Sequence, residues 1–303
     1  MRSFALALRA HRDYFADAAL QAAADLDLPR LFAAPRDPRE VAAAHDYDDA
    51  RLLRLGRALA DLGQLELTGD GRWRWLGDRA PLLPVIRQGW GLLSQVIRTG
   101  QPLDASAHLH AYQKAMASDH AETAAAWANA WAAQLPSHGE LLDVGAGLGT
   151  WGRALVHAAE DWRAVLVDRP EVLALAQPQP RIELAPGDAT RLPQDRPFDL
   201  AVSAHLLHHL SDQQCVQTLA AMSEALRPGG WLAIVEVFAL PGQPAPDPAL
   251  WFDLDMALYS PGGRVRSVDE IQRIAMELPL EWLDLRILDG DAGVAELRAR
   301  RRG

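Results

Sequence analysis

The sequence contains one cysteine, Cys215, among 303 residues. A single cysteine can form no disulfide within the chain, and it cannot supply the thiolate cluster of a zinc site. No apolar run approaches the ~18 residues of a membrane-spanning helix. The apolar stretch near the N-terminus is interrupted at Arg9, His11 and Arg12, so it is too short for the core of a secretory signal. We therefore expect a cytoplasmic protein.

Positive charge is also in short supply. The chain has 30 Lys and Arg residues against 40 Asp and Glu, a formal net charge of −10. An acidic surface repels phosphate groups, which disfavours nucleic acids and anionic membranes as partners. The hydrophobic fraction of 49% and the charged fraction of 23% are ordinary for a globular protein. At about 150 residues per domain, the length indicates two domains.

Residues 37–76 combine two helical patterns with a hairpin. Asp37 and Pro38 suit the start of the first helix, and Gly63 suits the end of the second. The strands LELT and RWRWL flank the turn GDG, which completes the pattern of a winged helix. Residues 1–80 contain 12 Arg against 13 Asp and Glu. This balance favours dimerisation or another protein contact over DNA binding, which stays open as an alternative.

A change of period marks the second part of the chain. Residues 81–136 are predicted to be mostly helical, and the segment PSHG at 136–139 forms a boundary. Beyond it, short β-rich runs such as LLDVG, AVLVD, FDLAVSA and LAIVEVF alternate with helical segments. This alternation predicts an α/β fold with a Rossmann-like, mostly parallel sheet, preceded by the helical winged-helix domain.

The segment DVGAGLG follows the first of these strands. Gly145, Gly147 and Gly149 allow the backbone to pass close beneath a ligand at the edge of the sheet. A dinucleotide fingerprint would need a sixth-position glycine, where Thr150 stands. Asp143, two residues before the first glycine, suits a ligand with a cationic amino group and would repel a pyrophosphate.

Two further aspartates follow successive strands. Asp168 lies 19 residues after Gly149, where a carboxylate can accept hydrogen bonds from ribose hydroxyls. Asp188 follows the next strand and is placed to hydrogen-bond an adenine amino group. Together with Asp143 they indicate a ligand that is an adenosine bearing an amino acid and no phosphate.

With these motifs the chain resembles the class I S-adenosylmethionine (SAM) methyltransferases. It is most similar to small-molecule O-methyltransferases with an N-terminal winged-helix dimerisation domain, such as plant phenolic, antibiotic-tailoring and hydroxyindole enzymes. The resemblance runs from about residue 14 to the C-terminus. It is carried by the segments ALQAAADLDLPRLF, DVGAGLG, VDRPEV, GDAT, LLHHLSDQQCV, ALRPGGWLAIVE and LDMALYSPGGRVRS.

The resemblance implies a seven-stranded SAM-binding domain, a homodimer and a set of site residues. The implied domains are 1–100 (winged helix), 101–137 (linking helices that contribute to the substrate pocket) and 138–303 (methyltransferase). The implied cofactor contacts are Asp143, Gly145, Gly147, Gly149, Asp168, Arg169, Asp188, Ala189 and Ser203. The implied contacts of an aromatic acceptor are Trp127, Trp131, His205, Phe252, Asp255, Met256 and Tyr259.

The histidines of HLLHHLSD, residues 205–212, are assigned by the same resemblance. His208 matches the general base of an LHDWxD segment in these enzymes, and Glu236 at the end of the next strand is expected to orient it. The chain has His209 and Leu210 where that segment has Asp and Trp. The same LHHLSD occurs in methyltransferases without a histidine base, so two alternatives remain for His208, a role in the pocket wall and a purely structural role as a buried histidine. A metal site is not expected.

The resulting prediction is a SAM-dependent methyltransferase that acts on a hydroxyl of a small aromatic acceptor. Three alternatives stay open at this point. The acceptor atom could be nitrogen or carbon, which needs no base. The chain could be a SAM-sensing winged-helix regulator, or a SAM-binding enzyme with other chemistry. Cys215 lies within a predicted helix and is expected to pack in the core.

Overall fold

The computed structural model describes residues 12–77, 89–192, 196–242, 247–290 and 293–302. The chain divides into two compact units, residues 1–87 and 88–303. Residues 88–100, which the sequence assigns to the first domain, therefore group with the second unit, and so do the linking helices of residues 101–137. Residues 81–88 of the helical segment lie outside the described part.

The N-terminal unit is a helical domain with a two-stranded hairpin. Its elements are α1 (Arg12–Asp25), α2 (Leu28–Leu31), α3 (Pro38–His45), α4 (Asp49–Asp61), β1 (Leu65–Leu67) and β2 (Trp73–Trp75). The side chains of Asp37 and Asp48 cap α3 and α4, and each accepts a backbone N–H of the first turn. Gly63, with φ of +70°, follows α4 as the sequence predicts.

The hairpin packs on α4 because one helix position lacks a side chain. A Cβ at Gly56 would lie 2.0 Å from the Trp73 ring, so only glycine admits the indole there. On its other side the Trp73 ring meets Phe32, with the centroids 5.3 Å apart. The helix–turn–helix and hairpin predicted from the sequence are therefore confirmed, with an apolar core of their own.

The second unit surrounds its sheet with helices on both faces. Its helices are α5 (Leu93–Thr99), α6 (Leu109–Asp119), α7 (Ala121–Ala132), α8 (Thr150–Ala158), α9 (Pro170–Leu173), α10 (Asp212–Ala225), α11 (Pro248–Tyr259) and α12 (Val268–Ile274). Its strands are β3 (His138–Val144), β4 (Asp161–Asp168), β5 (Ile182–Pro186), β6 (Phe198–Ala204), β7 (Leu226–Val237), β8 (Leu280–Asp289) and β9 (Val294–Arg301).

Within the described residues the sheet has seven strands in the order β5-β4-β3-β6-β7-β9-β8. The pairs among β5, β4, β3, β6 and β7 are parallel, and β9 runs antiparallel to both β7 and β8. From β3 the chain first builds toward β5 and then crosses to β6 on the other side. Such a reversal opens a crevice at the carboxyl ends of the strands, where ligands bind in open α/β sheets. The fold predicted from the sequence is confirmed.

The strands are buried on both faces, as parallel strands in a doubly covered sheet must be. Leu142, Val165 and Ile234 belong to a cluster on one face, and Leu141, Leu166 and Val235 belong to a cluster on the other. Among the residues described, no helix has the length and apolar character needed to cross a membrane.

Candidate functional site

Asp143 occupies the carboxyl end of β3. Its side chain is 1% exposed, and its Oδ2 accepts the Gly152 N–H at 2.8 Å. Burial raises the pKa of Asp143 to about 7, although the hydrogen bond from Gly152 opposes this shift. The structure thus gives Asp143 a partner at the start of α8. The predicted contact with a ligand amino group stays a prediction.

Asp168, the last residue of β4, lies against the glycine-rich turn. Its Oδ2 accepts the Gly147 N–H at 2.7 Å and its Oδ1 accepts the Arg169 N–H at 2.7 Å. Burial raises the pKa of Asp168, and the two backbone hydrogen bonds lower it. The carboxylate is held in one orientation at the strand edge. The Arg169 side chain is exposed and lies 3.3 Å from Glu171.

The loop after β5 carries Asp188. Its Oδ1 accepts both the backbone N–H and the hydroxyl of Thr190, at 2.8 Å each, and these bonds lower its pKa. Ala189 is half-buried beside the core. On β6, Ser203 is fully buried, and its Oγ has no hydrogen-bond partner within the described residues. An unpartnered buried hydroxyl is unusual and costs about 1–3 kcal/mol when it stays unsatisfied.

The glycine-rich turn links β3 to α8. Gly145, Gly147 and Gly149 all have positive φ, at +71°, +58° and +85°. A Cβ at Gly147 would lie 2.8 Å from Gln113 Oε1, so the backbone is approached closely from α6. A glycine backbone without Cβ atoms beside the fixed carboxylate of Asp168 suits a ribose and a methionine-type chain. The residues present therefore fit the expected cofactor.

The histidine loop follows β6. β6 ends at Ala204, His205 adopts a left-handed backbone with φ of +55°, and Leu207–His209 form a single 3₁₀ turn. This turn places the His208 side chain beside Glu236 of β7. Its Nδ1 lies 2.5 Å from Glu236 Oε2, and both side chains are about 4% exposed. The second oxygen of Glu236 accepts the Leu207 N–H at 2.6 Å.

Burial controls the charges of this pair. It lowers the pKa of His208, and the charges of His120 and Arg266 act in the same direction. Burial also raises the pKa of Glu236. The direction for His208 means a neutral imidazole at ordinary pH. In the tautomer that carries its proton on Nδ1, the ring donates a hydrogen bond to Glu236, and the lone pair of Nε2 can accept a proton.

A further histidine, which the sequence analysis missed, joins this group. His120 lies at the junction of α6 and α7, and its ring is stacked on His205 with the centroids 4.0 Å apart. His205 Nε2 is buried without a hydrogen-bond partner among the described residues. Nothing in the local sequence SDHAET distinguishes His120, because its contact depends on how the helices pack.

The histidine cluster also includes a carboxylate from another strand. One ligand atom each of His205, His208 and Glu236 lies within 4.8 Å of the others. In the sequence, the segment of the three histidines offers one carboxylate, Asp212 at the start of the next helix, and no metal site is expected there. The structure brings a carboxylate from β7, where it is engaged by His208 and by the Leu207 N–H. The expectation of no metal stays a prediction.

Helix α11 forms the wall beside His208. The Phe252 ring meets the imidazole edge-on, with centroids 4.8 Å apart and planes at 82°. Met256 is 2% exposed, and Asp255 Oδ1 accepts the indole N–H of Trp90 at 2.9 Å. Tyr259 packs against Gly89, where a Cβ would lie 1.9 Å from its hydroxyl. These predicted acceptor contacts therefore share one helix next to the histidine loop.

The other two predicted acceptor contacts, Trp127 and Trp131, lie on α7. Both are at most 2% exposed, and their indole N–H groups donate to Glu296 Oε1 at 2.7 and 2.6 Å. The edge of the Trp127 ring contacts Trp151, with centroids 5.4 Å apart. These contacts account for both indoles by the packing of α7 on the sheet. Their contact with an acceptor stays a prediction.

The segment PGGRVRS holds the histidine loop in place. The guanidinium of Arg266, 3% exposed, donates to the carbonyls of Leu207 and Leu210 at 2.8 Å each and to Asp212 Oδ1 at 2.7 Å. Ser260 Oγ donates to the His209 carbonyl at 2.9 Å. We call residues 260–266 the clamp. In the sequence this motif carries part of the family resemblance, and its physical role is visible only in the fold.

Cys215 contacts the same loop. It is fully buried in α10, and its thiol lies 3.4 Å from the Leu207 carbonyl. Burial raises its pKa to about 11. The predicted role in core packing is confirmed by this burial. Ser211 and Gln214 form the capping box that starts α10.

Comparison with known proteins adds the family. An O-methyltransferase domain model matches residues 103–278, more than half of the chain. Acetylserotonin O-methyltransferase of Mus musculus is 31% identical over 157 residues, which cover 48% of this chain and 40% of that enzyme. The chain therefore matches well under half of that relative's length. O-demethylpuromycin-O-methyltransferase of Streptomyces alboniger is 28% identical over 300 residues, covering 86% of this chain and 79% of that enzyme.

Solved structures agree on the fold. The crystal structure of human N-acetylserotonin methyltransferase in complex with SAM superposes with a TM-score of 0.79 at 18% identity. The superposition covers 100% of this chain and 98% of that one. The match to the family model, together with this fold, shows that the chain belongs to the O-methyltransferase domain family, a SAM-dependent family.

Proposed function

We propose that this protein transfers a methyl group from SAM to a hydroxyl of a small aromatic acceptor, with His208 as general base. The observation that carries the proposal is the buried His208–Glu236 pair, with Nδ1 and Oε2 2.5 Å apart. The pair lies at the carboxyl ends of β6 and β7, the edge that also bears the glycine-rich turn. Family membership supports the class of reaction.

The cofactor contacts follow from the strand ends. Asp168 would accept hydrogen bonds from the ribose, with Gly147 and Arg169 holding its carboxylate in orientation. Asp188 would hydrogen-bond the adenine, and the glycine-rich turn would leave room for the methionine portion. When bound, SAM supplies a methyl group whose bond to sulfur breaks as its bond to the acceptor oxygen forms.

In the proposed reaction, the histidine loop supplies the base that removes the proton of the acceptor hydroxyl. His208 Nε2 takes the hydroxyl proton as the oxygen attacks, and the negative charge of Glu236 stabilises the imidazolium that results. A positioned base of this kind contributes about 10²–10⁴ in rate. Glu236 acts through His208 and so serves as a positioning residue. Proximity of the two reactants supplies a further large part of the acceleration.

The acceptor would lie between the histidine loop and α11. Phe252 and Met256 offer apolar surface suited to a flat ring. Asp255 and Tyr259 add polar groups on the same helix, and His205 forms the floor. Trp127 and Trp131 are included as predicted contacts. We further propose that the N-terminal unit mediates a homodimer, in keeping with its balanced charge.

The experiment is a comparison of His208→Gln with the wild type, using SAM and a panel of simple phenols. We expect kcat to fall by about 10²–10⁴ while affinity for S-adenosylhomocysteine (SAH) is unchanged. His157→Gln, an exposed histidine on α8, is the matched control and should keep full activity. Glu236→Gln should lower kcat with little change in KM and shift the acidic limb of the pH profile. Full activity of His208→Gln toward the phenols would contradict the base and favour the alternative in which His208 only lines the pocket wall.

A further inference from the structure

A carboxylate lies within one helical turn of the contact between α11 and His208. Phe252, Asp255 and Tyr259 are spaced by three and four residues, so they share one face of α11. Phe252 contacts the His208 ring on that face. Asp255 therefore lies about 5 Å further along the helix, at the distance of one additional ring or a short side chain from the reacting hydroxyl.

Aromatic groups surround this carboxylate. Trp90 donates its indole N–H to Oδ1 at 2.9 Å. Burial, and next to it the charge of Asp255, raises the pKa of Tyr112 and of Tyr259 to about 12. Tyr259 follows Asp255 by four residues on α11, so the two side chains share one face of the helix. The indole of Trp251 extends the aromatic surface, with its ring centroid 6.3 Å from that of Trp90.

No cation of the described residues balances Asp255. The ion pairs in the described ranges do not include it, and its hydrogen bond comes from the neutral Trp90. Burial raises its pKa, opposed only by that hydrogen bond. A half-buried carboxylate with a single neutral donor is energetically costly unless a positive group completes it. The arginines of the clamp, Arg264 and Arg266, pair with Asp212 and Glu270.

An ammonium group of a ligand would supply the positive charge that Asp255 lacks among the described residues. It would donate a charge-assisted hydrogen bond to Asp255 and would contact the aromatic rings of Trp90 and Tyr259, which attract cations. We propose that Asp255, Trp90 and Tyr259 form an amine subsite, and that the acceptor is a hydroxylated aromatic compound carrying a protonated amine. This proposal rests on the proposed function, because it places the hydroxyl at His208 and the amine at Asp255, one helical turn beyond Phe252.

The test compares matched pairs of phenols that differ only in the amine. Suitable pairs are tyramine with 4-ethylphenol, dopamine with 4-ethylcatechol, and 6-hydroxytetrahydroisoquinoline with 5,6,7,8-tetrahydro-2-naphthol. Binding to the SAH-saturated protein is measured by calorimetry, and kcat/KM is measured with SAM. We expect the amine of at least one pair to be preferred by roughly tenfold or more, as a charge-assisted contact provides.

Variants of Asp255 test whether this residue causes the preference for the amine. Asp255→Asn should abolish it, and Asp255→Glu, which keeps the charge, should restore part of it. Asp253→Asn is the matched control on the same helix. Its exposed side chain accepts the Val265 N–H, which an asparagine oxygen can also do, so the preference should persist. The comparison of amine with neutral phenol in the wild type needs no variant and stands even if one fails to fold.

Two outcomes separate this inference from the proposed function. Methylation of neutral phenols with kcat/KM equal to or above that of every matched amine would overturn the amine subsite and leave the proposed function standing. Tight SAH binding without methyl transfer to any phenol would contradict the proposed function. In that case a retained, Asp255-dependent binding preference for the amines would still support the subsite, and its absence would overturn both.

Discussion

The imidazole rings of His120 and His205 are stacked, with centroids 4.0 Å apart and planes at 11° to each other. His120 belongs to the helical layer and His205 to the end of β6. Burial, followed by the charge of His120, lowers the pKa of His205 to about 3. The stack therefore connects the helices to the floor of the site, and burial lowers the pKa of both rings.

This depressed pKa predicts a pH-dependent contribution to stability. An unfolded histidine binds a proton below about pH 6.5, whereas His205 in the folded chain resists protonation until about pH 3. Stability present above pH ~6.5 is therefore lost as the pH falls toward 3, by up to about 1.4 kcal/mol per pH unit. His205→Asn removes this titration, and asparagine tolerates the left-handed backbone.

Urea unfolding of both proteins between pH 7.5 and 4.5 provides the measurement. The free energy of unfolding of the wild type should decline relative to that of His205→Asn as the pH falls. The exposed His138 on β3 is the control, and His138→Asn should follow the wild type. Parallel curves for wild type and His205→Asn would show that His205 is not held neutral.

Asp168 is expected to govern cofactor affinity. Asp168→Asn keeps one acceptor oxygen but loses the charge and the bidentate geometry, so affinity for SAH should fall by roughly tenfold or more. Calorimetric titration measures this directly. Asp161→Asn, at the exposed opposite end of β4, should bind SAH like the wild type. Equal affinity for all three proteins would remove Asp168 from the cofactor site.

The two glycines of the clamp predict a sharp difference between neighbours. A Cβ at Gly263 would lie 2.2 Å from the His208 carbonyl oxygen, a backbone atom that cannot move without the histidine loop. Gly263→Ala should therefore cost about 1–3 kcal/mol of stability and lower kcat. A Cβ at Gly262 would be 3.2 Å from Ser211 Cβ, so Gly262→Ala should have a much smaller effect. Thermal unfolding and steady-state kinetics of the two variants test this contrast, and similar values for both would contradict it.

Much of the fold could be predicted because its signals are local. Capping residues such as Asp37 and Ser211, the glycine turn after β3 and the aspartates at strand ends all depend on near neighbours in sequence. The parallel sheet places strand ends together, so Asp143 and Asp168 could be assigned to one edge before the fold was known. The pairing of His208 with Glu236 follows from the same rule applied to β6 and β7.

The remaining features depend on tertiary packing. The stacking of His120 on His205 brings together residues 85 positions apart, from a helix junction and a strand end. The donation of two indole N–H groups to Glu296 depends on how α7 crosses β9, so it could not be inferred from tryptophan spacing. Likewise the sequence shows a conspicuous PGGRVRS segment, but only the fold reveals that Arg266 contacts the loop of the proposed base.

Helix α11 and the clamp form one continuous stretch of chain, fastened at Asp253 by its hydrogen bond to the Val265 N–H at 2.8 Å. The same stretch of chain thus carries the surface proposed to receive the acceptor and the groups that fix the histidine loop. We therefore expect contacts between α11 and the part of the acceptor far from its hydroxyl to affect the position of His208. Shortening the acceptor should consequently reduce turnover as well as affinity, because binding energy at one end of α11 is used to set the geometry at the other.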